Sequence, residues 1–189
     1  EVDASAFPIV QWFGFNFERE ELADERVRRA IIHAIDKDEI TQRVFLDYVK
    51  PATGTYISLF EPWVNEDARQ PEYDPELART LLDEAGYPVG QDGTRFSLRY
   101  VSFTASIFGG QEIAEMVQSQ LAEVGIDVTV ENLDFALFNE KIRNQRDFDL
   151  VHSGGIWGPP PSELANFVHT DGVRNVMFYS NSRVDQLLE

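Results

Sequence analysis

The residues best suited to holding a ligand lie in one short stretch, Ser153-Gly154-Gly155-Ile156-Trp157-Gly158-Pro159-Pro160-Pro161-Ser162. Gly154 and Gly155 let the backbone turn sharply or approach a bound molecule closely, and the three prolines stiffen the far side of the loop. Trp157 between them offers a flat apolar face with little entropy left to lose. That suits stacking on a sugar ring, a peptide side chain or another aromatic. Plugging the core beneath the loop would account for the same tryptophan equally well. Trp12 and Gly14, in the run Gln11-Trp12-Phe13-Gly14, form a second candidate group, and Tyr56 and Trp63 a third, in an aromatic-rich loop.

Covalent and metal chemistry find no such pattern. His33, His152 and His169 are far apart and none sits in HxxxH or HExxH spacing, so no metal is expected, and His33 and His152 read as structural histidines. Ser153-Gly154-Gly155 lacks the G-x-S-x-G frame of a nucleophile elbow, and Gly109-Gly110 is neither a dinucleotide fingerprint nor a phosphate loop. There is no cysteine, hence no disulfide, thiol nucleophile or thiolate metal site. Carboxylates are too numerous to single out a catalytic pair, which leaves a glycosidase as a weaker alternative. No cofactor is expected.

Periodicity shows what must position these residues. FPIVQWFGFNF (7–17) is too apolar for a loop and lacks helical spacing, so a buried strand is expected, with Gln11 to Gly14 alternating between cleft and core. Asp24 caps a helix with Val27, Ile31, Ala34 and Ile35 on one face, and Asp36 with Glu39 forms a capping box for a second helix running to about Tyr48. Asp74 caps a third helix with Pro75 in its first position, Leu77, Ala78, Leu81, Leu82 and Ala85 as its buried stripe, and Gly86 as its end. Residues 50–70 lack a period and read as an ordered surface loop.

The second half alternates more regularly. Phe96, Leu98 and Tyr100 mark a half-buried strand; Ile113, Val117, Leu121 and Val124 a helix ended by Gly125; Ile126, Val128 and Val130 a second strand. A helix from about Phe135 to Asn144 should bury Leu137, Phe138 and Ile142, and Phe148, Leu150 and Val151 a third strand that His152 ends. A tail helix begins near Ser182. Strand, helix, strand, helix, strand with short connections predicts an α/β fold with a parallel βαβαβ core and right-handed crossovers. Ligands meet such sheets at the carboxyl ends of the strands, here the segments 103–110 (opening on Phe103), 132–135 and 153–162.

Composition narrows the partners. The chain has 189 residues, 43% apolar with fourteen phenylalanines, enough for one well-packed domain. Its 33 acidic against 16 basic residues give a formal charge of −17, which repels nucleic acid and anionic membranes. With only three lysines, the composition also fits a high-salt or GC-rich source. No apolar run reaches the roughly 18 residues of a membrane span, and no secretory signal is evident, so any targeting segment is expected outside this chain.

Six segments, in order, carry a resemblance: Phe15-Asn16, Asp24 to Ile40 (DERVRRAIIHAIDKDEI), Tyr73 to Tyr87 (YDPELARTLLDEAGY), Leu121 to Val130, Phe148 to Gly155, and Asn175 to Leu188 with its YSN and VDQLL. Together they resemble the extracellular solute-binding proteins of peptide-type ABC importers, family 5. The resemblance implies a type II periplasmic-binding-protein fold, and residues 1–189 as a single α/β lobe, the C-terminal one, cut from a two-lobed parent. It also implies non-catalytic capture of a peptide or oligosaccharide by hinge closure, delivery to the importer's membrane subunits, and a periplasmic or cell-surface location for a secreted or lipid-anchored protein. Relatives that handle nickel complexes keep a metal-chelate ligand as an alternative.

One departure stands out. Peptide-binding members place an aspartate for the ligand's α-amino group near Trp157, and here no acid lies between Asp149 and Glu163. A docked ammonium would forgo a charge-assisted hydrogen bond of about 1.5–3 kcal/mol. This leans toward a neutral ligand such as an oligosaccharide over a free peptide. The ligand-binding set expected is Trp12, Gly14, Phe103, Gly154, Gly155 and Trp157.

Overall fold

The structure is a computed structural model and describes residues 9–49, 51–52, 54, 65, 67–103, 109–156 and 162–189. Its elements in chain order are β1 (Ile9–Phe15), α1 (Glu20–Ala23), α2 (Glu25–His33), α3 (Lys37–Phe45), α4 (Pro75–Glu84), β2 (Phe96–Phe103), α5 (Gly110–Glu123), β3 (Ile126–Leu133), α6 (Phe135–Asn139), β4 (Leu150–Ile156), α7 (Ser162–Val168) and α8 (Ser182–Leu188). One four-stranded sheet runs in the order β1-β4-β2-β3. β2 is parallel to both β3 and β4, which realises the expected βαβαβ core, and β1 joins β4 antiparallel.

Both faces of the sheet are covered. On one, Phe15, Leu98, Tyr100 and Leu150 pack with Val27 and Ile31 of α2, Leu82 of α4 and Val117 and Leu121 of α5. On the other, Val101 and Val151 pack with Phe138, Ile142, Phe148 and Val176. Because β2 is central, Val101 and Ser102 are as buried as Tyr100, and the alternation of a half-buried strand is confined to Phe96 through Tyr100. β1 therefore alternates between two covered faces. Its first residues pair with the carboxyl end of β4.

The helix punctuation forms largely as expected. Asp24 accepts from the Arg26 N–H, and Asp74 from the Leu77 N–H at 2.9 Å. At Gly86 (φ +93°) the α4 helix closes with Gly86 N–H on Asp83 O and Tyr87 N–H on Leu82 O, a left-handed cap that L side chains resist.

Four expectations are corrected. The α3 capping box is not reciprocal: Asp36 accepts from Glu39 N–H, but the Asp36 N–H donates to Gln120 Oε1, whose Nε2 donates to Glu39. A buried glutamine of α5 thus splices α3 onto the core. Leu77, in the first turn of α4, is exposed and outside the stripe. The helix from Phe135 changes to a wider, π-type turn over Glu140–Gln145, which buries Phe138 and Ile142 and leaves Leu137 exposed. His152 sits within β4, and Phe148 precedes it.

Candidate functional site: the carboxyl edge of the sheet

At the carboxyl ends of the parallel strands, one polar residue from each of the four strands forms a row across the sheet. The register pairs Ser102 of β2 with Asn132 of β3 on one side and with His152 of β4 on the other. The Ser102 hydroxyl donates to the Asn132 side-chain oxygen. His152 Nε2–H donates to Gln11 Oε1 of β1 at 2.7 Å, completing the row. Ser102 is fully buried and His152 nearly so. Burial without a counter-charge pushes the His152 pKa down from 6.5 to about 4, so the row is uncharged at neutral pH. Gly110, at the start of α5, comes so close that a Cβ there would lie 2.9 Å from Phe103 O and 4.0 Å from Ser102 Oγ.

On the opposite face of the same edge lies a cavity of about 170 Å³, with Trp12, Ser153 and Gly154 among its lining residues and Phe138 and Phe167 among its apolar walls. The half-buried Trp12 meets Phe167 edge-on, centroids 6.5 Å apart. Arg143 and Arg174 complete the rim: Arg143 donates to Asn139 Oδ1 and to Val173 O, and the Arg174 guanidinium lies 5.6 Å from the Phe167 ring centroid.

The residues singled out from sequence fall around this edge. Trp12 and Gly154 line the cavity, and Gly154 pairs with Gln11, whose amide would be 3.3 Å from a Cβ on Gly154. Gly155 pairs with Val10. Phe103, half-buried at the end of β2, packs on Phe135 and Phe138 with centroids 6.0 and 5.4 Å apart. Gly14 lies deeper and is buried; a Cβ there would sit 2.9 Å from both Met177 Sδ and Trp12 Cζ3, so its smallness seats those two side chains. Trp157, Tyr56 and Trp63 lie outside the described residues. Of the histidines, His33 Nδ1 meets Glu72 O at 2.8 Å, and His169 Nδ1 accepts from the Asp171 N–H. Among the described residues no cluster of three or more His, Asp or Glu could hold a metal.

Sequence reasoning missed Ser102, Asn132, Arg143 and Arg174, placed Gln11 only in a run alternating between cleft and core, and gave His152 only a structural role. A signal existed for two of them. Ser102 and Asn132 are each a polar residue near the end of a strand, and aligning the parallel strands places them side by side.

A mixed sheet with helices on both faces is the α/β architecture expected of a type II periplasmic-binding-protein lobe. The chain belongs to the bacterial extracellular solute-binding proteins, family 5, whose model "family 5 Middle" matches residues 2–175. It is 31% identical over 160 residues to a Brucella ovis protein described as an ABC transporter peptide-binding protein, covering 82% of this chain and 29% of the relative. It is 29% identical over 206 residues to the glutathione-binding protein GsiB of Escherichia coli K12, covering 100% of this chain and 37% of GsiB. The chain therefore spans well under half the length of either relative. The fold matches that of NikZ from Campylobacter jejuni in complex with Ni(L-His), with a TM-score of 0.82, 22% identity, and coverage of 96% of this chain and 38% of NikZ. DppA from Helicobacter pylori in complex with the peptide STSA gives 0.80, 22%, 95% and 35%. Among the described residues no helix is long and apolar enough to cross a membrane.

Proposed function

We propose that this chain is one lobe of a two-lobed, periplasmic or cell-surface solute-binding protein that captures a peptide-class solute and delivers it to the membrane subunits of an ABC importer. Binding proceeds by hinge closure over the solute, without covalent chemistry. The observation that carries this reading is the uncharged row Gln11–His152–Ser102–Asn132 at the carboxyl edge. A site that must exchange water for solute repeatedly loses least when its buried groups are neutral and already paired. Family membership and relatives named for peptides support the peptide class, which takes precedence over the oligosaccharide that the missing acid near Trp157 favoured.

In this site Trp12 and Phe103 offer stacking faces, Gly154 and Gly155 allow close backbone approach, and Gly14 seats Trp12; on the sequence alone, Trp157 is proposed to add a third face. Calorimetry on the full-length protein carrying this chain, against short peptides, oligosaccharides and nickel chelates, tests the assignment. Peptides are expected to bind tightly to the full-length protein and at least about a hundredfold more weakly to the isolated lobe, since closure buries the solute between both. Binding confined to oligosaccharides would overturn the peptide class, and hydrolysis of a glycoside would overturn the non-enzymatic mechanism.

A further inference from the structure

The cavity beside Trp12 has a chemistry of its own, distinct from the neutral row on the other face of the sheet. Its volume of about 170 Å³ is that of a side-chain-sized group: an apolar cavity of about 150 Å³ is known to take benzene. Its walls are aromatic and aliphatic. Its charged lining consists of two arginines, and among the described residues it includes no carboxylate. In a chain of net charge −17 with twice as many acids as bases, such a grouping is against the overall composition.

The two guanidiniums share one rim. Arg143 donates through Nη1 to the carbonyl of Val173, the residue directly before Arg174. Its partners Asn139 Oδ1 and Val173 O are neutral acceptors, and it forms no ion pair among the described residues. Elsewhere the arginines Arg19, Arg26, Arg79, Arg95, Arg99 and Arg146 each meet an Asp or Glu. Arg143 is thus held in place by neutral oxygens with its full charge available at the cavity mouth, and a planar guanidinium fits a carboxylate better than any other common anionic group of a peptide.

We propose that this cavity is a specificity subsite for a carboxylate carried on an apolar or aliphatic stem: the stem fills the space against Trp12, Phe138 and Phe167, and Arg143 and Arg174 receive the anion. The assignment rests on the solute-binding function proposed above and names the part of the solute that this lobe selects. The carboxylate is either an acidic side chain or the C-terminal group of a peptide. Both present the same chemistry.

The test uses the full-length protein, wild type and the double variant R143Q/R174Q, with four matched peptides. One carries an internal glutamate and a free C-terminus, one replaces Glu by Gln, one is C-terminally amidated, and one has both changes. Thermal unfolding of the variant controls for folding, and R143K/R174K serves as a charge-retaining second variant. The expected result is that removing one carboxylate, Glu or C-terminal, costs wild type about tenfold or more in affinity, consistent with a charge-assisted hydrogen bond at a partly exposed site. The double Gln variant loses that preference, and the Lys variant retains part of it. Whichever single change matters identifies the source. If the four peptides bind wild type equally, or if R143Q/R174Q keeps the preference, the subsite is overturned while peptide binding stands. If no peptide binds, both assignments fall together.

Discussion

The two ends of β4 solve the same problem, a polar group inside a sheet, in opposite ways. Where β4 begins, the solution is charge. The Asp149 carboxylate accepts from the Arg99 backbone N–H at 2.7 Å and from Arg19 Nε at 2.8 Å, and Asp147 meets Arg99, Arg19 and Lys141. The Arg99 guanidinium holds the Asp147 carboxyl below its usual range, and Glu131 holds the Lys141 ammonium up. Asn16 adds a neutral staple, donating to Phe148 O and accepting from Glu18 N–H. Where β4 ends, the described polar groups of the row are neutral. The contrast fits the proposed function. Paired opposite charges would fix an edge that stays closed. Neutral groups would suit the edge at which the solute is proposed to bind, because a desolvated charge without its partner is far more costly than a desolvated amide or imidazole.

The contrast is broken most directly by titrating His152. The folded state keeps its ring neutral down to about pH 4, whereas the unfolded chain takes up the proton near the ordinary 6.5. As pH falls through that window the unfolded state is favoured. Stability should therefore drop by up to about 3 kcal/mol between about pH 6.5 and 4 and level off below. Urea unfolding of wild type and His152→Gln at several pH values isolates the effect, since His33 and His169 are common to both. Parallel pH curves for the two proteins would mean that His152 takes up its proton alike in the folded and unfolded states, and that burial does not hold it neutral.

At the other end, Asp149→Ala removes the acceptor that Arg19 and Arg99 share. Breaking a fully buried pair costs about 3–5 kcal/mol, but both arginine side chains are about one-third exposed, so about 2 kcal/mol is expected. Asp149→Asn, which keeps an acceptor for the Arg99 N–H, should lose roughly half as much. Equal losses would show that charge, and not the backbone hydrogen bond, is what β4 requires there.

These two regions are unequally legible in the sequence. Helix caps and stripes announce themselves locally, so Asp24, Asp74, Gly86 and the Ile113–Val124 face can be read directly, and the strand–helix alternation is enough for the parallel core. The capping box fails because Gln120, more than eighty residues away, intercepts both of its arms, and no local pattern carries that. Leu137 fails because the buried stripe runs through Phe138 and Ile142, four residues apart, and one position before Phe138 the side chain points about 100° away, into solvent. The row across the strand ends is a property of register, which a single strand does not encode, and β1 reaches it only by an antiparallel pairing spanning about 140 residues. Trp157, the sequence's strongest hint of function, lies outside the described residues. Trp12 and the polar row carry the proposed site in its place.

The smallest effect tests where the neutral row stops. Tyr100 is fully buried on the same face as His152, 6.4 Å from it and 5.7 Å from Phe13 between ring centroids, and its hydroxyl has no hydrogen-bond partner among the described residues. Burial alone pushes the phenol above its ordinary range, as expected of a hydroxyl with no charge or donor to balance its desolvation. Tyr100→Phe keeps the ring contacts and deletes the orphan. The desolvation penalty of such a group, about 1–3 kcal/mol, is offset in part by the small void left behind, so a net gain of about 1 kcal/mol is expected in urea or thermal unfolding at pH 7. A loss of that size would reveal a partner for the hydroxyl. The simplest is a buried water linking it to His152, and the polar row would then extend one residue deeper, from the carboxyl edge into the core.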